Sequence, residues 1–197
     1  FPYVDVFKQP KVVFHGGDLV MGDDLSEVEA ALDRLEPGAV IVELPSNPLL
    51  RCVYLPAIAE LTRHRGIQVI ADDTIGTAFN LEALDHIDLL FTSLTKSFAG
   101  RGDVMAGSLL VSPSSPWSDQ LMEALNPAAE LSDPDAIALE QASRDVAKRV
   151  PQLDRNCLAL ADQLQQHPAV DRVLHPRHCL NYEALMRAGA GYGCLLS

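Results

Sequence analysis

Apolar and polar positions alternate along this chain with two different periods. In LSEVEAALDRL the apolar residues Leu25, Val28, Ala31, Leu32 and Leu35 return every three or four positions. That spacing puts them on one face of a helix, with Pro37-Gly38 as its stop. The next run, AVIVEL, is continuous and β-branched, which predicts a strand buried on both faces, as in a parallel sheet. VYLPAIAELTRHRG returns to helical spacing and closes on His64, Arg65 and Gly66, a C-terminal signature. QVIAD predicts the next buried strand. Strand, helix and strand joined by short links make a βαβ unit, expected to be right-handed and parallel. LEALDHIDLLFTS predicts a short helix or turn and then another strand, and GSLLVS a further strand, antiparallel at this point of the sheet. The pattern predicts an α/β fold, a mostly parallel sheet between helices.

From Pro116 onward the pattern is helical. WSDQLMEALN predicts a helix and PAAELSDPDA a loop. AIALEQASRDVAKRVPQLDRNCLALADQLQQH predicts a long helical stretch that Pro151 should kink or break. HPAVDRVLHP predicts a turn and a strand, and GYGCLLS another strand. A domain boundary is therefore expected near Pro151, with one unit over 1–150 and the start of a second over 151–197. At the front, FPYVDVFKQPKVVF mixes aromatics with a short apolar run. HGGDLVMGDD is turn-rich, and its paired glycines lack the GxxxxGK of a phosphate loop.

Composition narrows the class. A chain of 197 residues, 48% of them hydrophobic, can bury a core and make one domain or one and a half. A net charge of −12 argues against nucleic-acid binding, which needs a basic face, and suits small-molecule substrates. No apolar run approaches membrane-spanning length, and FPYVDVFKQ lacks a basic segment followed by an apolar one. Cys52, Cys157, Cys179 and Cys194 show no CxxC spacing, which predicts reduced, mostly buried thiols in a cytoplasmic protein. HPRHC places His175, His178 and Cys179 together but offers no second ligand pair, so no metal is expected. The chain starts without Met in what reads as mid-domain sequence, and a fragment is expected.

The chemistry concentrates between Val69 and Ser112. Two buried strands there end in polar turns, the first presenting Asp72 and the second Ser93, Thr95 and Lys96. Ligands of an open α/β sheet bind outside the carboxyl ends of its strands, so both turns should face one crevice. A lysine, an acid and two hydroxyls around one crevice suit pyridoxal phosphate (PLP): the lysine for the Schiff base, the acid for the pyridinium nitrogen, the hydroxyls as phosphate donors. Lys96 follows an apolar strand directly, flanked by Thr95, Ser97, Phe98 and Ala99, so a partly desolvated lysine is expected. Asp72 ends its strand, whereas Asp73 starts the turn, as a group behind the site or as a cap with Thr74. Arg101 and Asp103 in GRGD are expected only to hold the loop.

The ordered phrases ELPSNP, ADDT and SLTKSFAGRGDVMAG resemble the PLP-dependent cystathionine γ-synthase family of Cys/Met metabolism, in its fungal form. The similarity runs from FPYVD to GYGCLLS. It implies the fold-type I architecture of PLP-dependent transferases and a homodimer or homotetramer. By resemblance, Tyr3 stacks on the pyridine ring, and the Asn47 amide hydrogen-bonds the ring's 3-oxygen. Asp72 pairs with the ring nitrogen, Ser93 and Thr95 contact the phosphate, and Lys96 carries the cofactor. The implied reaction is γ-replacement of an activated homoserine ester by a thiol, with γ-elimination and sulfhydrylation as sister activities on the same core set. The resemblance also implies that a phosphate-binding glycine loop, a substrate-carboxylate arginine and residues donated across subunits lie outside this chain. A rival expectation is a remnant that keeps the fold and turns nothing over.

Overall fold

The computed structural model describes residues 11–13, 19–21, 24–125 and 131–197, the first two stretches by backbone alone. Tyr3 lies outside the described residues.

Helix α1 (Leu25–Leu35) starts where Asp24 turns its carboxylate onto the Ser26 and Glu27 N–H groups, and buries Val28, Ala31 and Leu32. Its stop comes at Glu36, in the left-handed region at φ 42°, just before the predicted Pro-Gly pair. β3 (Ala39–Glu43) is the AVIVE strand, α2 (Leu55–Arg63) the next amphipathic helix, and β4 (Gln68–Asp72) the QVIAD strand. Gly66, at φ 67°, turns the chain from α2 back toward β4. β5 (Leu89–Ser93) and β6 (Gly107–Val111) complete the predicted set, helix α3 (Ser118–Leu125) follows them, and β1 (Lys11–Val13) pairs with β2 (Leu19–Met21) in front of the set.

The strands form one sheet in the order β2-β1-β3-β4-β5-β6. β3, β4 and β5 are parallel, as the βαβ pattern predicts, and β6 runs antiparallel to β5. β1 is antiparallel to both β2 and β3. The core lies between the sheet and the helices: Val40, Val42, Leu44, Leu55, Ile58 and Ala71 are each fully buried. Burying one such aliphatic side chain contributes about 1.5–3 kcal/mol.

Three expectations need correction. The chain breaks helix at Arg144–Asp145, between α4 (Asp133–Ser143) and α5 (Val146–Gln165), and α5 continues through Pro151. Pro151 forfeits a single backbone bond in the second turn, and the rest of a long amphipathic helix outweighs it. DPDA, expected in a loop, opens α4: Ser132 caps it by accepting from the Asp135 N–H, and Pro134 sits in the first turn, where no N–H is required. HPAVDRVLHP and GYGCLLS form no strands; their only backbone hydrogen bonds to each other among the described residues are a reciprocal pair between Leu174 and Ser197, at 2.6 and 3.0 Å, and the His175 and Tyr192 rings meet at 5.7 Å. One such pair is too short to make a ladder. Residues 179–185 instead fold onto the main core, where Cys179, Tyr182 and Leu185 join the cluster that contains Val42 and Ile58. Among the described residues no helix is long and apolar enough to cross a membrane.

Candidate active site

β3 and β4 end level, and β5 runs two residues past them, to Ser93. Glu43 stands opposite Asp72 in the β3–β4 register, and Asp72 opposite Phe91 in the β4–β5 register. The turns that leave the three strands are therefore thrown to the same edge of the sheet. Backbone bonds stitch these turns together: Leu44 N–H to Asp72 O (2.7 Å), Gly76 N–H to Leu44 O (3.1 Å) and Asp73 N–H to Phe91 O (3.3 Å).

The first turn is built on Ser46. Its backbone pairs with Arg51 and Leu50, and its Oγ accepts the Arg51 N–H at 3.3 Å. Ser46 is fully buried in this role, while the next residue, Asn47, is exposed at the crevice edge. The tight turn thus spends the serine on itself and leaves the amide free for a ligand.

The second turn holds the two carboxylates, and both are buried. Asp72 Oδ1 accepts the Thr74 N–H at 2.8 Å, so it is Asp72 that caps the turn and not Asp73. Asp73 Oδ1 accepts the Thr92 hydroxyl from the neighbouring strand. Burial pushes the pKa of Asp72 up, and the Thr74 hydrogen bonds only partly offset it. Burial, with the Asp72 charge adding to it, pushes Asp73 up to about 6 against the pull of Thr92. Among the described residues neither carboxylate has an ion-pair partner. A cation placed beside Asp72 would favour its ionised form.

The third turn carries Ser93, Thr95 and Lys96. The Ser93 N–H donates to Thr74 Oγ1 at 2.8 Å, so the second turn fixes the start of the third. Thr95 Oγ1 accepts the Ala106 N–H at 3.3 Å, which leaves its own O–H to donate. The Lys96 side chain is exposed, where partial desolvation was expected. The far side of the turn is held from α5. Arg149 donates to the carbonyls of Ser97, Phe98 (2.9 Å) and Ala142 (3.1 Å), and its Nε to Asp145 at 3.2 Å. Gly100, at φ 73°, passes so close that an added Cβ would meet the guanidinium at 2.5 Å. Arg101 and Asp103 are exposed.

Beside these turns lies a cavity of about 160 Å³ whose wall includes the hydroxyl residues Thr74, Thr77, Thr92, Ser93, Ser97 and Ser108. Thr77 Oγ1 is buried and has no partner among the described residues. The donor set fits a phosphorylated pyridine aldehyde: hydroxyls for the phosphate, a buried acid lacking its cation for the ring nitrogen, and a reachable lysine. Asn47, Asp72, Ser93, Thr95 and Lys96 all fall on this one edge. Thr92 and Arg149 were not foreseen, and Thr74 was expected only as a cap partner of Asp73. Thr92 could be found only from the strand register, because Asp73 and Thr92 are the next positions after the Asp72–Phe91 pair. Arg149 lies 52 positions from the Ser97 carbonyl it holds, with no sequence signal.

An acid and a lysine at the carboxyl ends of adjacent parallel strands suit a PLP-dependent enzyme. A family model described as Cys/Met metabolism PLP-dependent enzyme matches residues 5–197, and the chain belongs to that family. It is similar to a cystathionine γ-synthase of Neurospora crassa, 35% identical over all of this chain and 33% of that protein. A dechlorinase/desaturase of L-2-amino-4-chloropent-4-enoate from Streptantibioticus cattleyicolor is also 35% identical, over 85% of this chain and 35% of its own. Among solved structures, cystathionine γ-synthase of Xanthomonas oryzae pv. oryzae in complex with aminoacrylate and cysteine aligns with a TM-score of 0.76 at 25% identity, over 89% of this chain and 46% of that one. Cystathionine γ-lyase of Lactobacillus plantarum aligns with a TM-score of 0.79 at 24% identity, over 91% and 48%. The fold is the fold-type I architecture of PLP-dependent enzymes. The chain spans about a third of the length of these two curated relatives.

Proposed function

We propose that this chain supplies the cofactor-holding half-site of an enzyme that replaces the γ-substituent of an activated homoserine ester by a thiol. The observation that carries the reading is the parallel register of β3, β4 and β5, whose carboxyl ends bring Asn47, Asp72 and Lys96 to one edge of the sheet. PLP, when bound, supplies an electron sink for charge that develops on the substrate carbons. Lys96 would hold it covalently, and the Lys96 amine, once freed, would take the proton from the substrate α-carbon. Asp72, buried and capped by Thr74, would keep the ring nitrogen protonated. The exposed Asn47 amide would donate to the ring's 3-oxygen and fix its plane. Ser93 and Thr95 would donate to the phosphate, and Tyr3 would stack on the ring face. Residues 1–150 would form most of the cofactor unit and 151–197 the start of a second one, tied to the first through Cys179, Tyr182 and Leu185. A cytoplasmic homodimer or homotetramer is the assembly in keeping with this reading.

A second reaction in the same class is elimination at the γ-carbon, and the dechlorinase relative favours keeping it. The experiment is borohydride reduction of the chain with added PLP, followed by peptide mass spectrometry. The expected label is a phosphopyridoxyl group on Lys96; a label on Lys148 alone would overturn the reading. Product analysis with a homoserine ester, with and without cysteine, separates replacement from elimination.

A further inference from the structure

Just past the Asn47 turn in sequence, Cys52 meets Cys179, 127 positions away. The Cys52 N–H donates to Cys179 Sγ at 3.2 Å, and that sulfur lies 3.9 Å from the Cys52 carbonyl oxygen. Only three bonds separate the Cys52 nitrogen from its own Sγ, so the two sulfurs are within a side-chain rotation of each other. Both cysteines are free. Cys179 forms part of the wall of a cavity of about 310 Å³, and Cys52 does not. That volume is at the lower end of small-molecule sites, roughly 300–1,000 Å³. The wall also carries Arg51, Arg172, His175 and His178, with Asp171 as its acid. His175 is buried; its Nδ1 accepts the Arg177 N–H at 3.3 Å, and its Nε2 has no partner among the described residues.

We propose that Cys179 and Cys52 are a thiol–disulfide exchange pair, with Cys179 reached through this cavity by a small disulfide that bears carboxylates. Cys179 is the attacking sulfur. The Cys52 thiol and the amides of Cys52, Tyr182 and Asn181 draw its pKa down to about 6 against burial, whereas burial keeps Cys52 protonated. The thiolate of Cys179 attacks one sulfur of the small disulfide, whose S–S bond breaks; the other half leaves as a thiolate and takes up a proton. Cys52 then gives its proton to solvent and attacks the Cys179 sulfur, expelling the second half as a thiol. Two protein thiols are oxidised and one small disulfide is reduced to two thiols. Arg172 pairs with a carboxylate, and the His175 Nε2–H is a further donor. The other thiols differ: burial raises Cys157 to about 11, and Cys194 is exposed beside Ser97 Oγ, outside this cavity.

The test uses the 197-residue chain carrying Cys194→Ser, incubated with glutathione disulfide and digested without reductant. The expected product is a peptide pair joined through Cys52 and Cys179. With Cys52→Ser added, the glutathione should stay on Cys179; with Cys179→Ser instead, Cys52 should stay free. The neutral bis(2-hydroxyethyl) disulfide should react several-fold more slowly. Glutathione found only on Cys157, or a fully reduced Cys52–Cys179 pair under conditions that modify Cys194 in the parent chain, would overturn the proposal. Equal rates with the two disulfides would overturn recognition by the cationic wall. The cross-link in the parent chain needs no variant at either cysteine, so a misfolded variant leaves that result intact.

Discussion

At the scale of single residues, Asp73 is the group whose burden can be measured. Its carboxyl protonates at about 6 in the folded chain, against an ordinary value of 3.8. The folded state therefore binds this proton more tightly than the unfolded state, and between about pH 4 and 6 stability falls as pH rises. Above that window the cost stays, roughly 3 kcal/mol at most. Asp73→Asn keeps an oxygen for the Thr92 hydroxyl and removes the charge. The expected result is a higher melting temperature than the parent at pH 8, the difference shrinking to about a third at pH 4.5. A shift of the same size at both pH values would show that the charge is not the cause. Asp72 behaves differently in function: Asp72→Ala should abolish turnover of a full-length enzyme, while Asp73→Asn leaves most of it, as steady-state rates would show. The sequence separates these two acids by strand geometry alone. It could not assign the turn cap to Asp72 or the Thr92 bond to Asp73, because both depend on which strands pair and in what register.

At the scale of elements, the turn that carries Lys96 is held from outside by α5. Arg149→Met removes the donors to the Ser97 and Phe98 carbonyls and should destabilise by about 1–3 kcal/mol. Hydrogen exchange should speed up at Ala99 and Gly100, whose amides close this turn on Leu94 and Lys96. Unchanged exchange there would show that the turn holds itself. Gly76 is a second point of close approach: a Cβ there would lie 2.5 Å from the Leu44 carbonyl oxygen and 2.3 Å from a Leu81 methyl. Leu81 can rotate, but the Leu44 carbonyl, which accepts the Gly76 N–H, cannot move far. Gly76→Ala should cost about 1–3 kcal/mol in denaturant titrations. The elements themselves were largely legible. α1, β3, α2, β4, β5 and β6 come directly from residue spacing, and the turns bearing Asn47, Asp72 and Lys96 from where those strands stop. The illegible parts depend on contacts distant in sequence. HPAVDRVLHP looks extended but lacks strand neighbours, and DPDA looks like a loop until Ser132 caps it. Tyr3 rests on the resemblance alone.

At the scale of the whole molecule, apolar residues remain on the surface beside β6. Leu109 and Leu110 are 51% and 48% exposed, and Met105 is 86% exposed. Exposed apolar area of this kind drives association, so size-exclusion chromatography of the chain should give a species larger than a monomer. Leu109→Lys with Leu110→Lys should shift it toward the monomer; a monodisperse monomer without these changes would show that the surface is inert. The Cys52–Cys179 contact has another consequence, for the order of synthesis. The turn bearing Asn47 leaves the ribosome 127 residues before its buried packing partner does. At bacterial-to-eukaryotic elongation rates that is a delay of roughly 6–25 s. Through that interval the sheet can pair while the back of the turn stays wet, and its thiol is open to whatever the nascent chain meets.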